Sequence, residues 1–198
     1  IGRWHTVENE DVPNAVAGEL YAGRVECVAG DVKDYSCRQW YDVFLAGPPC
    51  QPWSRRNGSR AKGFDDSRSE PFTQCCRILE EVLEVNKDAA FMFENVVVTD
   101  YLPGDAERQE QMLGWRFELI DALELGAAQS RPRRVAQNLV EEGGWERRPP
   151  VDPNLFLERL GATVRERHTK CVLASGANTG SPIKVIDTAT GEQRNAIL

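Results

Sequence analysis

The sequence predicts an α/β fold on a mostly parallel sheet. Three observations lead there. Short β-like apolar runs alternate with helical stretches through the first two thirds of the chain, the order expected when crossover helices join parallel strands. Several of those runs end abruptly on Gly30-Asp31, on Gly47-Pro48-Pro49 or on Glu94-Asn95, the chemistry of strand-to-loop transitions. The 198 residues are 41% hydrophobic and 28% charged, a globular composition rather than that of a rod or a disordered tail.

The elements follow in order. Asp11-Val12-Pro13 has an N-cap with proline in the first turn, Val12, Val16 and Leu20 recur at helical spacing, and Gly23 closes the helix. Residues 24–29 read as a strand. A second strand, Asp-Val-Phe-Leu-Ala over 42–46, stops at Gly47-Pro48-Pro49. Residues 51–69 are polar, rich in Arg, Ser and Gly, and form a loop too long for a plain connection. Ser69 is placed to cap a helix reaching about Val85, with Phe72, Cys75, Cys76, Leu79, Val82 and Leu83 on its inner side. A third strand covers 89–93 and carries Glu94-Asn95 at its end. Residues 105–113 form a short polar helix, and strands are expected over 117–122 and 135–140.

The texture changes at Glu141, where Gly143-Gly144 and Pro149-Pro150 interrupt the chain. Two or three short strands with turns at Gly176, Gly180 and Gly191 are expected over 171–198. The predicted division is a partial catalytic domain over 1–140 and a small partial lobe over 141–198.

Charge and cysteine content narrow the chemistry. Lys and Arg number 24 against 31 Asp and Glu, a net of −7, so any contact with nucleic acid has to rest on local basic patches. The six cysteines contain no Cys-x-x-Cys pair and are accompanied by two histidines, which argues against a zinc site. Nothing suggests secretion, and reduced thiols in an intracellular protein are expected. No stretch approaches the ~20 apolar residues of a membrane helix. No metal and no membrane partner are therefore anticipated, and the oligomeric state is left open.

Three segments could carry chemistry. Gly47-Pro48-Pro49-Cys50-Gln51-Pro52-Trp53-Ser54 follows a strand, where open α/β sheets hold their ligands, and two prolines stiffen the turn that presents the Cys50 thiol, a strong nucleophile as thiolate. Phe93-Glu94-Asn95-Val96 sets a carboxyl group at another strand end, placed to donate a proton to a heterocycle nitrogen. Gln129-Ser130-Arg131-Pro132-Arg133-Arg134 puts Arg131 and Arg133 on one side of an extended segment, suited to phosphate or to an oriented carboxylate. Taken singly, each has an ordinary structural explanation: a buried cysteine, a capping carboxylate, a solvated basic loop.

Together and in this order the three segments resemble the C5-cytosine-specific DNA methyltransferase family, over roughly residues 5–140. The Gln-x-Arg-x-Arg run is preceded by Leu113-Gly114-Trp115, Asp121-Ala122 and Gly126, as in that family. The resemblance implies a Rossmann-like fold dependent on S-adenosylmethionine, with a small partial target-recognition lobe over 141–198, whose stretch after residue 170 is loosely similar to the target-recognition region of the de novo animal branch. It implies Cys50 as the nucleophile toward C6 of a flipped-out cytosine and Glu94 as the proton donor to N3. Asn95 would fix the turn that aims Glu94, and Arg131 and Arg133 would grip the base. It further implies Glu8 on the cofactor ribose, Asp31 with Val32 at the adenine, and Pro48 lining that pocket. Ser54, Arg55, Arg56, Arg60 and Lys62 would meet the phosphates of double-stranded DNA, since a base inside the stack must be swung out before reaction.

The pattern departs from the family in two places. The opening Phe-x-Gly-x-Gly loop is absent, and the family's closing motifs are not recognisable before Leu198. A fragment of a longer product or a degenerate remnant is expected, with weak cofactor binding by this stretch alone. Two other readings stay open: the same chemistry on tRNA, and a non-catalytic regulatory or DNA-binding relative that keeps the fold.

Overall fold

The computed structural model describes residues 3–21, 23–141 and 143–152, together with the backbone of four strands over 162–164, 169–170, 183–187 and 193–196. The chain packs as two units, Ile1–Phe117 with Val135–Leu139, and Glu118–Arg134 with Val140–Leu198.

The first unit opens with a β-α-β crossover. Strands β1 (Trp4–Val7) and β2 (Val25–Ala29) pair in parallel from Trp4↔Val25 to Val7↔Ala29, and helix α1 (Asp11–Tyr21) joins them. The turn after the helix uses Gly23 at φ 73°, a left-handed conformation that glycine adopts without a Cβ clash. The apolar spacing of α1 has an outcome the sequence did not foretell. Val12, Val16 and Leu20 are 74%, 48% and 70% exposed, and the half-buried positions of this helix are Asn14 and Ala17. A two-stranded sheet presents a narrow face to α1, so an amphipathic period did not translate into burial.

The second sheet of this unit runs β3-β4-β7, formed by β3 (Val43–Ala46), β4 (Ala90–Val96) and the end of β7 (Pro132–Gln137). Strands β3 and β4 are parallel, in register from Val43↔Ala90 to Ala46↔Phe93, with α2 (Glu70–Val85) between them in sequence. Helix α2 buries Phe72, Cys76, Ile78, Leu79 and Val82. Phe72, Cys76 and Leu79 meet Phe91 and Phe93 of β4 and Trp53 from the polar segment in one apolar cluster. Ile78 and Val82 form a second cluster with Cys37 and Ala89. Ser69 precedes α2 as expected, but its hydroxyl donates to Phe64 O at 3.2 Å and does not cap the helix. Past α2, β4 extends three residues beyond the expected end and takes Glu94-Asn95 into the strand.

Side chains finish what the backbone ladders leave open. Asn138, just past β7, accepts from Phe91 N–H through Oδ1 at 2.7 Å and donates from Nδ2 to Ala89 O at 2.9 Å. Tyr41 links β1 to the segment before β3: its hydroxyl bonds His5 Nδ1 at 2.6 Å and the Tyr35 hydroxyl at 2.7 Å. Helix α3 (Asp105–Leu113) is bracketed by Gly104 and Gly114, both in the left-handed region.

In the second unit, β5 (Glu118–Asp121) ends on a carboxylate that organises the next connection. Asp121 accepts from Leu123 N–H at 3.0 Å, Ser130 Oγ at 2.6 Å and Arg131 N–H at 2.7 Å, which shapes β6 (Gln129–Ser130). Further on, β8 (Ala162–Val164), β9 (Thr169–Lys170), β10 (Ile183–Asp187) and β11 (Gln193–Ala196) appear. Strand β10 pairs antiparallel with both β8 and β11, and β9 pairs in parallel with β6. The strand content is therefore mixed, and a mostly parallel sheet is not borne out for the chain as a whole: the crossover units and the β6–β9 pair are parallel, while β10 is antiparallel to β8 and β11. The turns expected at Gly176, Gly180 and Gly191 lie outside the described residues. The expected strand over 135–140 begins earlier, at Pro132, so Arg133 and Arg134 sit inside β7 rather than in a connecting segment.

Candidate active site

Parallel pairing in register sets the geometry of the site. Because Ala46 lies opposite Phe93, the next residues, Gly47 and Glu94, stand at the same carboxyl end of the sheet. Pro48 is buried, Pro49 is exposed and Cys50 is half-buried, so the sulfur is neither sealed in the core nor set on a fully open loop. A tight turn follows, in which Trp53 N–H donates to Cys50 O at 3.1 Å. The other described thiols differ in their surroundings. Burial pushes Cys75 up to about 11 and Cys76 up to about 12, which keeps both protonated and unreactive at neutral pH.

Glu94 occupies an outward position of β4. Phe91, Phe93 and Asn95 alternate with it and are buried, as the period of two requires. Its Oε2 lies 3.7 Å from the point where a Cβ on Gly47 would stand, so the carboxylate reaches back to the foot of the Cys50 turn. Asn95 is 1% exposed, and its Oδ1 accepts from Val96 N–H at 2.8 Å. That bond fixes the backbone at the point where β4 leaves the sheet.

Glu8, Asp31 and Val32 lie just past the carboxyl ends of β1 and β2. Glu8 N–H donates to Ala29 O at 3.2 Å, and its Oε1 accepts from Glu10 N–H at 2.9 Å. Asp31 caps the turn over Val32–Asp34: Oδ1 accepts from Lys33 N–H at 3.0 Å, and Oδ2 pairs with Lys33 Nζ at 3.0 Å. The Lys33 backbone N–H, then the Lys33 ammonium, hold the Asp31 carboxyl below its usual range. Val32 packs at the margin of the second apolar cluster. A ribose with two adjacent hydroxyls needs acceptors, which Glu8 supplies at a strand's carboxyl end. The Glu8 carboxylate is thus an acceptor that fits the ribose of a nucleoside cofactor.

Residues 51–69 are not an irregular loop. They fold into short 3-10 turns over Arg55–Arg60, Gly63–Asp65 and Ser67–Ser69. Ser54 caps the first, accepting from Arg56 N–H at 3.3 Å, and bridges Val98. Arg55 lies 3.5 Å from Asp100 in an exposed pair, and Arg56, Arg60 and Lys62 are exposed on the same segment. Closely spaced turn hydrogen bonds order the segment that the sequence presents as a long polar loop.

The structure thus brings the Cys50 turn and Glu94-Asn95 together within the first unit, with Glu8, Asp31 and Val32 on its other parallel pair. Arg131 and Arg133 belong to the second unit. Arg131 is held by the Asp121 carboxylate through its N–H, and Arg133 Nη1 donates to Pro132 O at 2.8 Å. Trp53, part of the Cys50 motif but given no role of its own there, is 0% exposed and donates its indole N–H to Asp105 at 2.9 Å. A tryptophan inside a polar run was the available signal.

Comparison with known proteins gives the family and the fold. A family model described as C-5 cytosine-specific DNA methylase matches residues 15–146. The chain is 28% identical over 117 residues to Type II methylase M.HgiEI of Herpetosiphon aurantiacus, covering 52% of this chain and 24% of that protein. It is 37% identical over 67 residues to Type II methyltransferase M.BanI of Aneurinibacillus aneurinilyticus, covering 34% of this chain and 14% of that protein. A solved structure described as a DNA modification methyltransferase encoded within an E. coli prophage aligns at a TM-score of 0.50 and 19% identity, covering 75% of this chain and 45% of the other. That last likeness is one of fold, and it makes this an α/β methyltransferase fold. The chain belongs to the C-5 cytosine-specific DNA methylase family. It spans about a quarter or less of the length of these two curated relatives.

Proposed function

We propose that the protein acts as a DNA (cytosine-5-)-methyltransferase, moving a methyl group from S-adenosylmethionine to C5 of a cytosine flipped out of duplex DNA. The observation that carries this reading is the approach of Glu94 Oε2 to the Gly47 backbone at the foot of the Cys50 turn. It supports a nucleophile and an acid addressing one ring.

The chemistry follows from the ring. Cytosine C5 is a weak nucleophile while the ring is aromatic. The Cys50 thiolate forms an Sγ–C6 bond, and the electron pair of the C5–C6 double bond moves onto C5. Glu94 donates a proton toward N3 and neutralises the charge spread there. When bound, S-adenosylmethionine would supply C5 with an electrophilic methyl on a sulfonium, whose sulfur–carbon bond would break with the electron pair going to sulfur. A base then removes the C5 proton, the Sγ–C6 bond breaks with its pair returning to Cys50 as thiolate, the C5–C6 double bond is restored, and N3 gives its proton back to Glu94. Asn95 keeps the strand end rigid so that Glu94 holds its aim. Arg131 and Arg133 would grip the base through its carbonyl oxygen, as the family resemblance implies.

Glu8, Asp31, Val32 and Pro48 are the residues that would hold the cofactor. Ser54, Arg55, Arg56, Arg60 and Lys62 would meet phosphates around the opened base pair, whose unstacking costs about a few kcal/mol. The division into a catalytic part over 1–140 and a partial target-recognition region over 141–198 belongs to the same reading. The change to short antiparallel strands past residue 160 supports it.

Duplex DNA substituted with 5-fluorocytosine tests the reading, because fluorine cannot leave as a cation and the covalent adduct persists. With S-adenosylmethionine present, the protein should form an adduct that maps to the peptide bearing Cys50 and is lost in Cys50→Ser. Adduct on fluorinated tRNA but not on DNA would overturn the DNA assignment. A folded protein that forms neither would overturn the enzymatic reading.

A further inference from the structure

We infer that Asp105 is a positioning residue for the Cys50 turn. The inference rests on the proposed role of Cys50 and adds a residue outside the three motifs. Trp53 closes the turn through its N–H to Cys50 O at 3.1 Å, and its own carbonyl accepts from Thr99 N–H at 3.0 Å. The placement of Cys50 therefore depends on where Trp53 is held. The indole is fully buried among Phe64, Phe72 and Phe93, with ring centroids 5.2 Å and 5.3 Å from the first two. A buried indole N–H requires an acceptor, and Asp105 Oδ2 provides it at 2.9 Å.

The surroundings are shaped for that carboxylate. Gly63 has φ +54°, and a Cβ there would stand 1.9 Å from Asp105 Oδ2. Position 63 thus admits only a residue that leaves the carboxylate its space. Gly63 N–H in turn donates to Pro52 O at 3.0 Å, inside the same Cys50–Trp53 turn. Arg108, one turn on in α3, covers the Phe64 ring at 4.2 Å. Asp105 thereby acts on the nucleophile's turn through Trp53, beside a Gly63 that leaves the carboxylate its space and itself holds Pro52 O. Fixing the approach of a nucleophile in this way matters because a misplacement of about 1 Å costs on the order of 100-fold in rate.

The test compares Asp105→Asn, Asp105→Ala and Trp53→Phe with the unsubstituted protein. Two rates are read at Cys50 by peptide mass: adduct formation with 5-fluorocytosine duplex DNA and alkylation by iodoacetamide. Asp105→Asn keeps an oxygen acceptor and should stay within about threefold of the parent in both rates. Asp105→Ala should trap DNA about tenfold or more slowly at unchanged affinity for S-adenosylmethionine, and should alter the alkylation rate of Cys50 but not that of exposed Cys27. Trp53→Phe, which keeps an aromatic ring in the core while removing the donor and part of the indole's volume, should shift both rates in the same direction and serves if the alanine variant fails to fold. Equal Cys50 rates in parent, Asp105→Ala and Trp53→Phe would overturn the inference. If the parent itself forms no DNA adduct, the enzymatic reading fails, and the alkylation rates still decide the positioning role.

Discussion

Arg77 and Glu81, one turn apart on α2, together fasten the segment that follows β2. The Arg77 guanidinium donates to Tyr35 O at 2.6 Å and Val32 O at 3.3 Å and pairs with Glu81. Glu81 accepts from Cys37 N–H at 2.7 Å and Ser36 Oγ at 3.2 Å. The segment they hold includes Val32, next to Asp31. Replacing Glu81 by Ala leaves the Cys37 N–H without its acceptor and takes the ion-pair partner from a guanidinium that keeps Tyr35 O and Val32 O, a loss of about 1–3 kcal/mol. Urea unfolding of Glu81→Ala and Arg77→Ala should show both destabilised. The double variant should lose less than the sum, because the two share one network.

Acid sensitivity follows from the same carboxyl. Burial pushes Glu81 up, but the Cys37 N–H and Arg77 outweigh it and leave the group below its ordinary 4.5. Asp66 is held at about 2, first by the Arg68 side chain and then by the Arg68 backbone N–H. A carboxyl depressed by folding adds stability above its unfolded pKa and loses it as pH falls through the folded value. Stability should therefore decline below about pH 4.5 and continue to fall toward about pH 2. Urea midpoints measured between pH 6 and pH 3 should drop less steeply for Glu81→Gln than for the parent.

Phe72 is the centre of the aromatic cluster, with ring centroids 5.3 Å from Trp53, 5.1 Å from Phe93 and 6.0 Å from Phe64. Phe72→Ala removes a fully buried ring and should cost about 3–5 kcal/mol, read as a lower denaturation midpoint.

Glu94→Gln keeps the shape of the side chain and removes its acid. On the proposed mechanism it should lower the methylation rate by about 100-fold or more, with little change in DNA affinity measured by fluorescence anisotropy. Unchanged turnover in this variant would remove Glu94 from the chemistry.

The elements that could be read from the sequence were those written in local pattern. The apolar run ending at Ala46, the inner stripe of α2 and the polar helix at Asp105–Leu113 emerge close to where spacing put them. What escaped depends on partners distant in the chain. Val12, Val16 and Leu20 have a helical period, but burial is decided by what lies opposite. Ser69 is a good cap by type, yet its hydroxyl found Phe64 O first. Arg133 and Arg134 join β7 because neighbouring strands override their weak β preference. In the site, Cys50 and Glu94 were marked by motif, whereas Asp105 was invisible because the indole it serves is 52 positions away in sequence.

Asn138 imitates a strand. Its carboxamide presents one acceptor and one donor to β4 where the peptide groups of β7 have run out, so the Phe91 amide proton is shut away from solvent by a side chain. Proton exchange at Phe91 should accordingly be slow in the parent protein. It should quicken in Asn138→Ala while the amides opposite β3 keep their protection, so that one carboxamide sets the lifetime of a backbone proton at the core of the sheet.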